Sequence, residues 1–306
     1  LDGGENFTAS HSQNFKGGWK PMNGDGMQLL DMARVITERV RALIRRALQA
    51  PVTIRLAASD DPRIHRTFDP ARRYAKSLES IIPAPAIERI RDRMAAGWRV
   101  AISTEGGSMG AAARQIFQHL QIPLDRDGVQ LLHEEERSDF YGIGILDGVN
   151  HGVDPGKWQV YRHIGAQDLL RAGSAHLFLI WDPDGDRFNM VTTAPAHLES
   201  RAVENGLETE PLDEDRILVY FKPNQIYFML TALRLTWLSR SQDLKQYDWL
   251  VSITFPTSRS ILEVALAIAA EQGAVLQQAL VPVGFKPFGN LTLQREQGLE
   301  ARHLPL

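Results

Sequence analysis

Apolar positions along the chain fall into blocks separated by glycine, proline and carboxylates, and the spacing within each block predicts its element. Met27, Leu29, Leu30, Met32, Val35, Ile36, Val40, Leu43 and Ile44 recur at helical spacing. A second helix is predicted over 87–94. The short apolar stretch 98–103 reads as a strand that passes through Gly106, Gly107 and Gly110 into a helix over 111–120. The same rhythm returns with a helix over 166–172, an apolar strand over 176–181 and an acidic loop over 182–186. Further on, Lys222-Pro223-Asn224-Gln225 opens a long apolar helix. A strand over 249–255, Thr257-Ser258-Arg259 and a helix over 261–272 follow, and Gly273 is placed to end that helix. Alternating strands and helices predict an α/β fold in tandem domains, each a mixed, mostly parallel sheet packed with helices.

The remaining segments set the expected boundaries. Residues 1–26 show little periodicity, residues 51–73 carry Pro51, Asp60, Asp61, Pro62, Asp69 and Pro70 as a connecting stretch, and 199–215 reads as an acidic, mobile segment. Three units follow from this punctuation, at 1–73, 74–200 and 201–306, in keeping with ordinary domain sizes for 306 residues. Hydrophobic residues at 43% and charged residues at 23% suit a soluble globular protein, and no apolar run approaches a membrane span. A net charge of -3 with dispersed basic residues argues against nucleic acid as a partner. The chain has no cysteine, which excludes disulfides, thiolate nucleophiles and zinc-thiolate sites. Without a signal-like segment at Leu1, the expected address is cytoplasmic.

Two loops carry candidate chemistry. Asp182-Pro183-Asp184-Gly185-Asp186-Arg187 stands directly after the apolar run 176–181, where ligands gather in open α/β sheets. Three alternating carboxylates converge when the backbone curls around an ion, and hard oxygen ligands select Mg2+ over zinc. In isolation the same residues also read as a solvated acidic turn. An EF-hand is excluded, because its sixth position would be Arg187 and its twelfth Thr193. The other loop holds Thr8-Ala9-Ser10-His11, with Gly17, Gly18 and Lys20 shortly after. Ser10 reads either as a phosphorylated or nucleophilic serine or as a surface hydroxyl, and its chemistry depends on meeting a base or a metal-bound phosphoryl group.

Taken in order, Thr8-Ala9-Ser10-His11, 182–187, Thr257-Ser258-Arg259 and Val283-Gly284-Phe285-Lys286 resemble the α-D-phosphohexomutase family, which includes phosphoglucomutases and phosphomannomutases. Tyr74-Ala75-Lys76-Ser77-Leu78 and Pro223-Asn224-Gln225 extend the resemblance, and 125–159 diverges. The resemblance implies that Ser10 carries the phosphoryl group, with His11 beside it. Asp182, Asp184 and Asp186 would ligate Mg2+ together with a phosphoserine oxygen. Arg187 would lie near the phosphoserine, Lys20 would act as general acid or base, and Lys286 would meet the sugar phosphate. The implied reaction interconverts hexose 1-phosphate and hexose 6-phosphate, with a hexose 1,6-bisphosphate as intermediate and activator. Ser12-Gln13 stands where the family has Asn-Pro. Measured against the family, most of a first domain and all of a fourth are expected to be missing, as in a fragment of a longer protein. Two other readings stay open: a catalytically impaired sugar-phosphate-binding relative, and a haloacid-dehalogenase-like phosphatase that would place phosphate on Asp182.

Overall fold

The computed structural model describes residues 3–8, 16–26, 28–29, 32–53, 55–65, 67–154, 156–241, 244–246 and 249–296. Over these residues the chain divides into two compact units, one within 1–8, 17–69 and 280–306 and the other within 9–16 and 70–279.

In the first unit, β1 (Gly3–Phe7) pairs antiparallel with β2 (Trp19–Asn23), Asn6 opposite Lys20. Thr8 N donates to Gly18 O at 3.1 Å, one step beyond the Phe7–Trp19 pair. A Cβ on Gly18 would lie 2.3 Å from Thr8 O, which is why glycine stands there. This hairpin has no counterpart in the apolar periodicity, because cross-strand backbone bonds rather than a buried face specify it. Helix α1 (Ala33–Gln49) begins later than its apolar pattern. Leu29 N is bonded to Pro21 O and Gln28 bridges Met22, which holds those residues extended. Residues 51–69 form no helix or strand among those described.

The second unit opens with α2 (Pro70–Ile81) and α3 (Ala84–Ala95), then β3 (Val100–Ser103), α4 (Met109–His119) and β4 (Val129–Leu132). A small hairpin of β5 (Ile145–Leu146) and β6 (Val149–Asn150) precedes α5 (Trp158–His163), α6 (Ala166–Arg171), β7 (Leu177–Trp181) and β8 (Phe188–Pro195). Helix α7 (Glu199–Glu204), β9 (Glu208–Pro211) and β10 (Arg216–Phe221) complete one six-stranded sheet, in the order β4-β3-β7-β8-β10-β9. Beyond it come α8 (Pro223–Ser241), β11 (Trp249–Thr254), α9 (Ser260–Glu271) and β12 (Leu276–Val281), with β11 paired to β12. Gly273 follows α9 at φ +63, the left-handed stop predicted for it. Helix α10 (Phe285–Glu296), the last described element, belongs to the first unit. Among the described residues no helix is long and apolar enough to cross a membrane.

The sheet is mixed, and its parallel character is smaller than expected. Strands β4, β3 and β7 run parallel, whereas β7-β8, β8-β10 and β10-β9 are antiparallel. The cause is local: the acidic loop returns the chain as a hairpin instead of feeding a crossover helix. Residues 199–215, expected to be mobile, instead form α7 and edge strand β9, because Glu208–Pro211 pair with β10. The boundary expected at 200/201 therefore runs through a continuous sheet, and that expected at 73/74 falls inside α2.

Alternation along the strands sorts side chains onto two faces. Val100, Ile102, Val129 and Leu131 pack with Ala71, Ala75, Ile87, Met94, Ala113 and Ile116 of α2, α3 and α4. Ala101, Phe178, Ile180, Val191 and Leu218 pack on the opposite face with Val160, Tyr161, Ala166 and Leu170 of α5 and α6. Helices thus cover both faces of the parallel half. The helices that follow β3 and β4 pack on opposite faces of the sheet.

Candidate metal centre

Three loops meet at the carboxyl edge of the parallel strands: 103–108 after β3, 133–139 after β4 and 182–187 between β7 and β8. The third is a closed hairpin. Asp182 N donates to Arg187 O at 3.1 Å, Gly185 N donates to Asp182 O at 2.8 Å, and Asp182 Oδ1 accepts from Arg187 N at 3.0 Å. Pro183 presets the turn, and Gly185 sits at φ +74, where a side chain would be strained and would also strike Met109. Alternation of Asp with Pro and Gly then turns Asp182, Asp184 and Asp186 inward together, with ligand oxygens all within 4.8 Å of one another. Asp182 is wholly buried, Asp184 is half-buried and Asp186 reaches the surface. The backbone bonds supply the curl that a cation was expected to impose. Three hard, anionic oxygens from one loop are a donor set that fits Mg2+.

Arg187 directs its Nε toward Asp186 Oδ1 at 3.8 Å, with about half of its side chain exposed. Ser10 and His11 lie outside the described residues. Lys20 is half-buried on β2 in the first unit, where it lines a cavity of about 350 Å³ with Trp19, Leu29, Ile36 and Arg41. Lys286 is the second residue of α10, and its side chain lies outside the described residues. Two other motifs do come together. Asn224 Oδ1 accepts from Ser258 N at 3.0 Å and Asn224 Nδ2 donates to Pro256 O at 3.4 Å, joining the start of α8 to the loop before α9.

The acidic loop has a neighbour that the motifs passed over. Loop 103–108 is pinned to the segment after β4: Thr104 Oγ1 donates to His133 O at 2.9 Å, Gly106 N donates to the same oxygen at 2.9 Å, and Ser103 Oγ lies 3.0 Å from His133 Nδ1. Burial, and then the nearby His163, hold His133 below its ordinary pKa. Loop 103–108 also abuts the acidic loop, since a Cβ on Gly107 would stand 2.2 Å from Pro183 O, and Ser108 Oγ donates to that oxygen at 3.3 Å.

Between these contacts Glu105 adopts a left-handed backbone, φ +53, and turns its side chain inward. It is 0% exposed, and neither carboxyl oxygen has a hydrogen-bond partner. Burial pushes its pKa up to about 9, with Asp182 and then Asp154 adding repulsion. The Tyr161 hydroxyl on α5 is also buried without a partner, and burial followed by the Glu105 charge drives its pKa well above the ordinary value. Glu105 had a sequence signal, a carboxylate directly after a buried strand and before two glycines. Tyr161 and Asp154 had none, because both lie in or just after a stretch without motif or clear period.

No protein-family model matches the chain, and no curated protein matches it.

Proposed function

We propose that this chain binds Mg2+ on Asp182, Asp184 and Asp186 and uses it in phosphoryl transfer on a hexose phosphate, with Ser10 as the phosphoryl carrier, as in the phosphohexomutases. The observation that carries the reading is the convergence of the three carboxylates on a hairpin already closed by its own backbone, at the carboxyl end of the parallel strand β7. The ordered motifs around Ser10, Arg187, Ser258 and Lys286 supply the substrate class.

In this reading a cation held by Asp182, Asp184 and Asp186 would supply neutralisation of charge on the transferring phosphoryl oxygens. The aspartates hold it, and the Arg187 fork binds phosphate oxygens. The phosphoserine Oγ–P bond breaks as a sugar hydroxyl forms the new O–P bond, and Lys20 takes that hydroxyl's proton. His11, next to Ser10 in sequence, would assist it, and Lys286 would meet the sugar phosphate. The resulting hexose 1,6-bisphosphate reorients and returns its other phosphoryl group to Ser10. Positioning and charge stabilisation carry most of such a reaction. Phosphatase chemistry on Asp182 is disfavoured, because a nucleophile must be reachable and this side chain is wholly buried with Oδ1 bound to Arg187 N.

The test is intact mass with phosphopeptide mapping after incubation with glucose 1,6-bisphosphate and Mg2+. Phosphate on Ser10 that disappears in Ser10→Ala and in Asp184→Asn supports the reading. Sugar-phosphate binding with no phosphate on Ser10 points to a non-catalytic relative, and phosphate on Asp182 to a hydrolase.

A further inference from the structure

The amino edge of the parallel strands, at the other end from the acidic loop, holds a cavity of about 580 Å³. Arg99 lines it just before β3, Asp125 and Arg126 before β4, and Ser174 before β7, with Gln130 from β4 itself. Arg99 is held in place by its backbone and by one guanidinium nitrogen. Its N–H donates to His176 Nδ1 at 3.0 Å, its carbonyl accepts from His176 N at 2.9 Å, and Nη1 donates to Met94 O at 2.8 Å and Trp98 O at 2.9 Å. Nε and Nη2, the pair that makes a side-on fork, have no partner among the described residues, and neither has any nitrogen of Arg126. At Arg114, Arg137 and Arg216 the same two nitrogens close on the carboxylates of Glu134, Asp139 and Asp213. Arg99 keeps that pair uncommitted on a cavity wall.

The rest of the wall selects the ligand. Of the described lining residues Asp125 alone is acidic, and both of its oxygens accept from Arg114, at 3.1 and 3.3 Å. Two uncommitted guanidiniums beside one engaged carboxylate favour an anion, and a phosphate dianion matches their charge. The volume is that of a small-molecule site rather than of a single ion. Leu131 is the one large apolar side chain lining it and no aromatic ring does, so a nucleobase has nothing to stack on. The Gln130 amide and the Ser174 hydroxyl, neither engaged by another described residue, suit a body rich in hydroxyl groups. We propose that this cavity binds a phosphorylated polyol, with Arg99 and Arg126 on the phosphate and Gln130 and Ser174 on the hydroxyl groups. The site lies at the far end of β7 from the Asp182 loop, and it does not rest on the phosphoryl transfer proposed above.

Glycerol 3-phosphate is the probe, titrated into the chelator-treated full chain and followed by amide chemical shifts, with inorganic phosphate titrated beside it. The expected Kd is about 1 mM or tighter, with the largest shifts at Gly97, Gly128 and Gly173 of the cavity wall. Arg126→Gln and Arg99→Gln each weaken binding about tenfold or more, and Arg187→Gln, which alters the acidic loop, leaves it unchanged. Inorganic phosphate binds about threefold or more less tightly, lacking the hydroxyl contacts. Arg99→Gln gives up two backbone bonds, whereas Arg126 is exposed and makes none, so Arg126→Gln decides the matter if the other variant fails to fold. Unchanged affinity in Arg126→Gln overturns the site. Binding lost in Arg187→Gln instead also overturns it and moves the anion to the acidic loop. Inorganic phosphate bound as tightly as glycerol 3-phosphate overturns the polyol assignment, and no binding of either overturns the whole proposal.

Discussion

Replacing Gly107 with alanine tests whether the 103–108 loop sets the shape of the acidic loop. Gly107 is buried, and an added Cβ would lie 2.2 Å from Pro183 O, 2.3 Å from Pro183 Cα and 2.5 Å from Pro183 Cβ. Two of these are backbone atoms, so no side-chain rotation relieves the clash. Restoring ordinary contact moves one loop against the other by about 1 Å, and overpacking of this kind costs about 1–3 kcal/mol. Pro183 stands between Asp182 and Asp184, and the hairpin bonds around it couple its displacement to the carboxylates. Losing one Mg2+ ligand from the set lowers affinity about tenfold or more, equivalent to about 1.4 kcal/mol. Urea unfolding measures the first quantity and titration calorimetry with Mg2+ the second. Gly17→Ala is the control, because nothing lies within 4 Å of its added Cβ. A Gly107→Ala chain with the stability and Mg2+ affinity of the unaltered protein would refute the reasoning.

Three further outcomes are expected. In the chelator-treated chain, the Glu105 carboxyl rises from 4.5 to about 9 on folding, so the folded state holds an extra proton between those values. Its contribution is full below about pH 4.5 and declines toward about pH 9, by at most about 1.4 kcal/mol per pH unit. Glu105→Gln removes that slope in urea titrations run across the range, and an unchanged slope refutes the assignment to Glu105. Asp184→Asn weakens Mg2+ binding at the loop by about tenfold or more with little loss of stability, seen by calorimetry beside thermal unfolding; unchanged Mg2+ affinity in this variant would exclude the loop. Arg114 grips Glu134 with two bonds, at 2.7 and 2.6 Å, and also reaches Asp125. Arg114→Lys loses that fork and about 1 kcal/mol, which chemical denaturation resolves; an unaltered midpoint would show that the fork contributes nothing.

Much of the fold could be read wherever one periodicity dominated. Buried strands β3 and β7 are apolar runs with sharp ends, and α4 and α9 carry clean helical spacing. Helix α2 was not predicted, although Ala71, Ala75 and Leu78 fall at helical spacing, because the prolines and aspartates before it read as a connecting stretch. Strands β8 and β10 were missed for different reasons. In β8, Asn189, Thr192 and Thr193 dilute the apolar alternation, and β10 follows an acidic stretch whose residues pair rather than dangle. The mostly parallel sheet was not met in three of five pairings, beginning at the turn of Pro183 and Gly185, because a loop that suits a cation also suits a hairpin. Asp182, Asp184 and Asp186 were found from spacing alone. Glu105 was not, since its importance comes from burial without partners, a three-dimensional property.

Strands β7 and β8 occupy the two middle places of the six-stranded sheet, with β4 and β9 at its margins. Backbone amides at such central positions exchange with solvent only when the whole sheet opens, whereas marginal strands open by local fraying. Both feet of the acidic hairpin therefore stand in the slowest-exchanging part of the molecule. The carboxylates keep their spacing through the small, frequent openings at the edges and lose it only together with the fold.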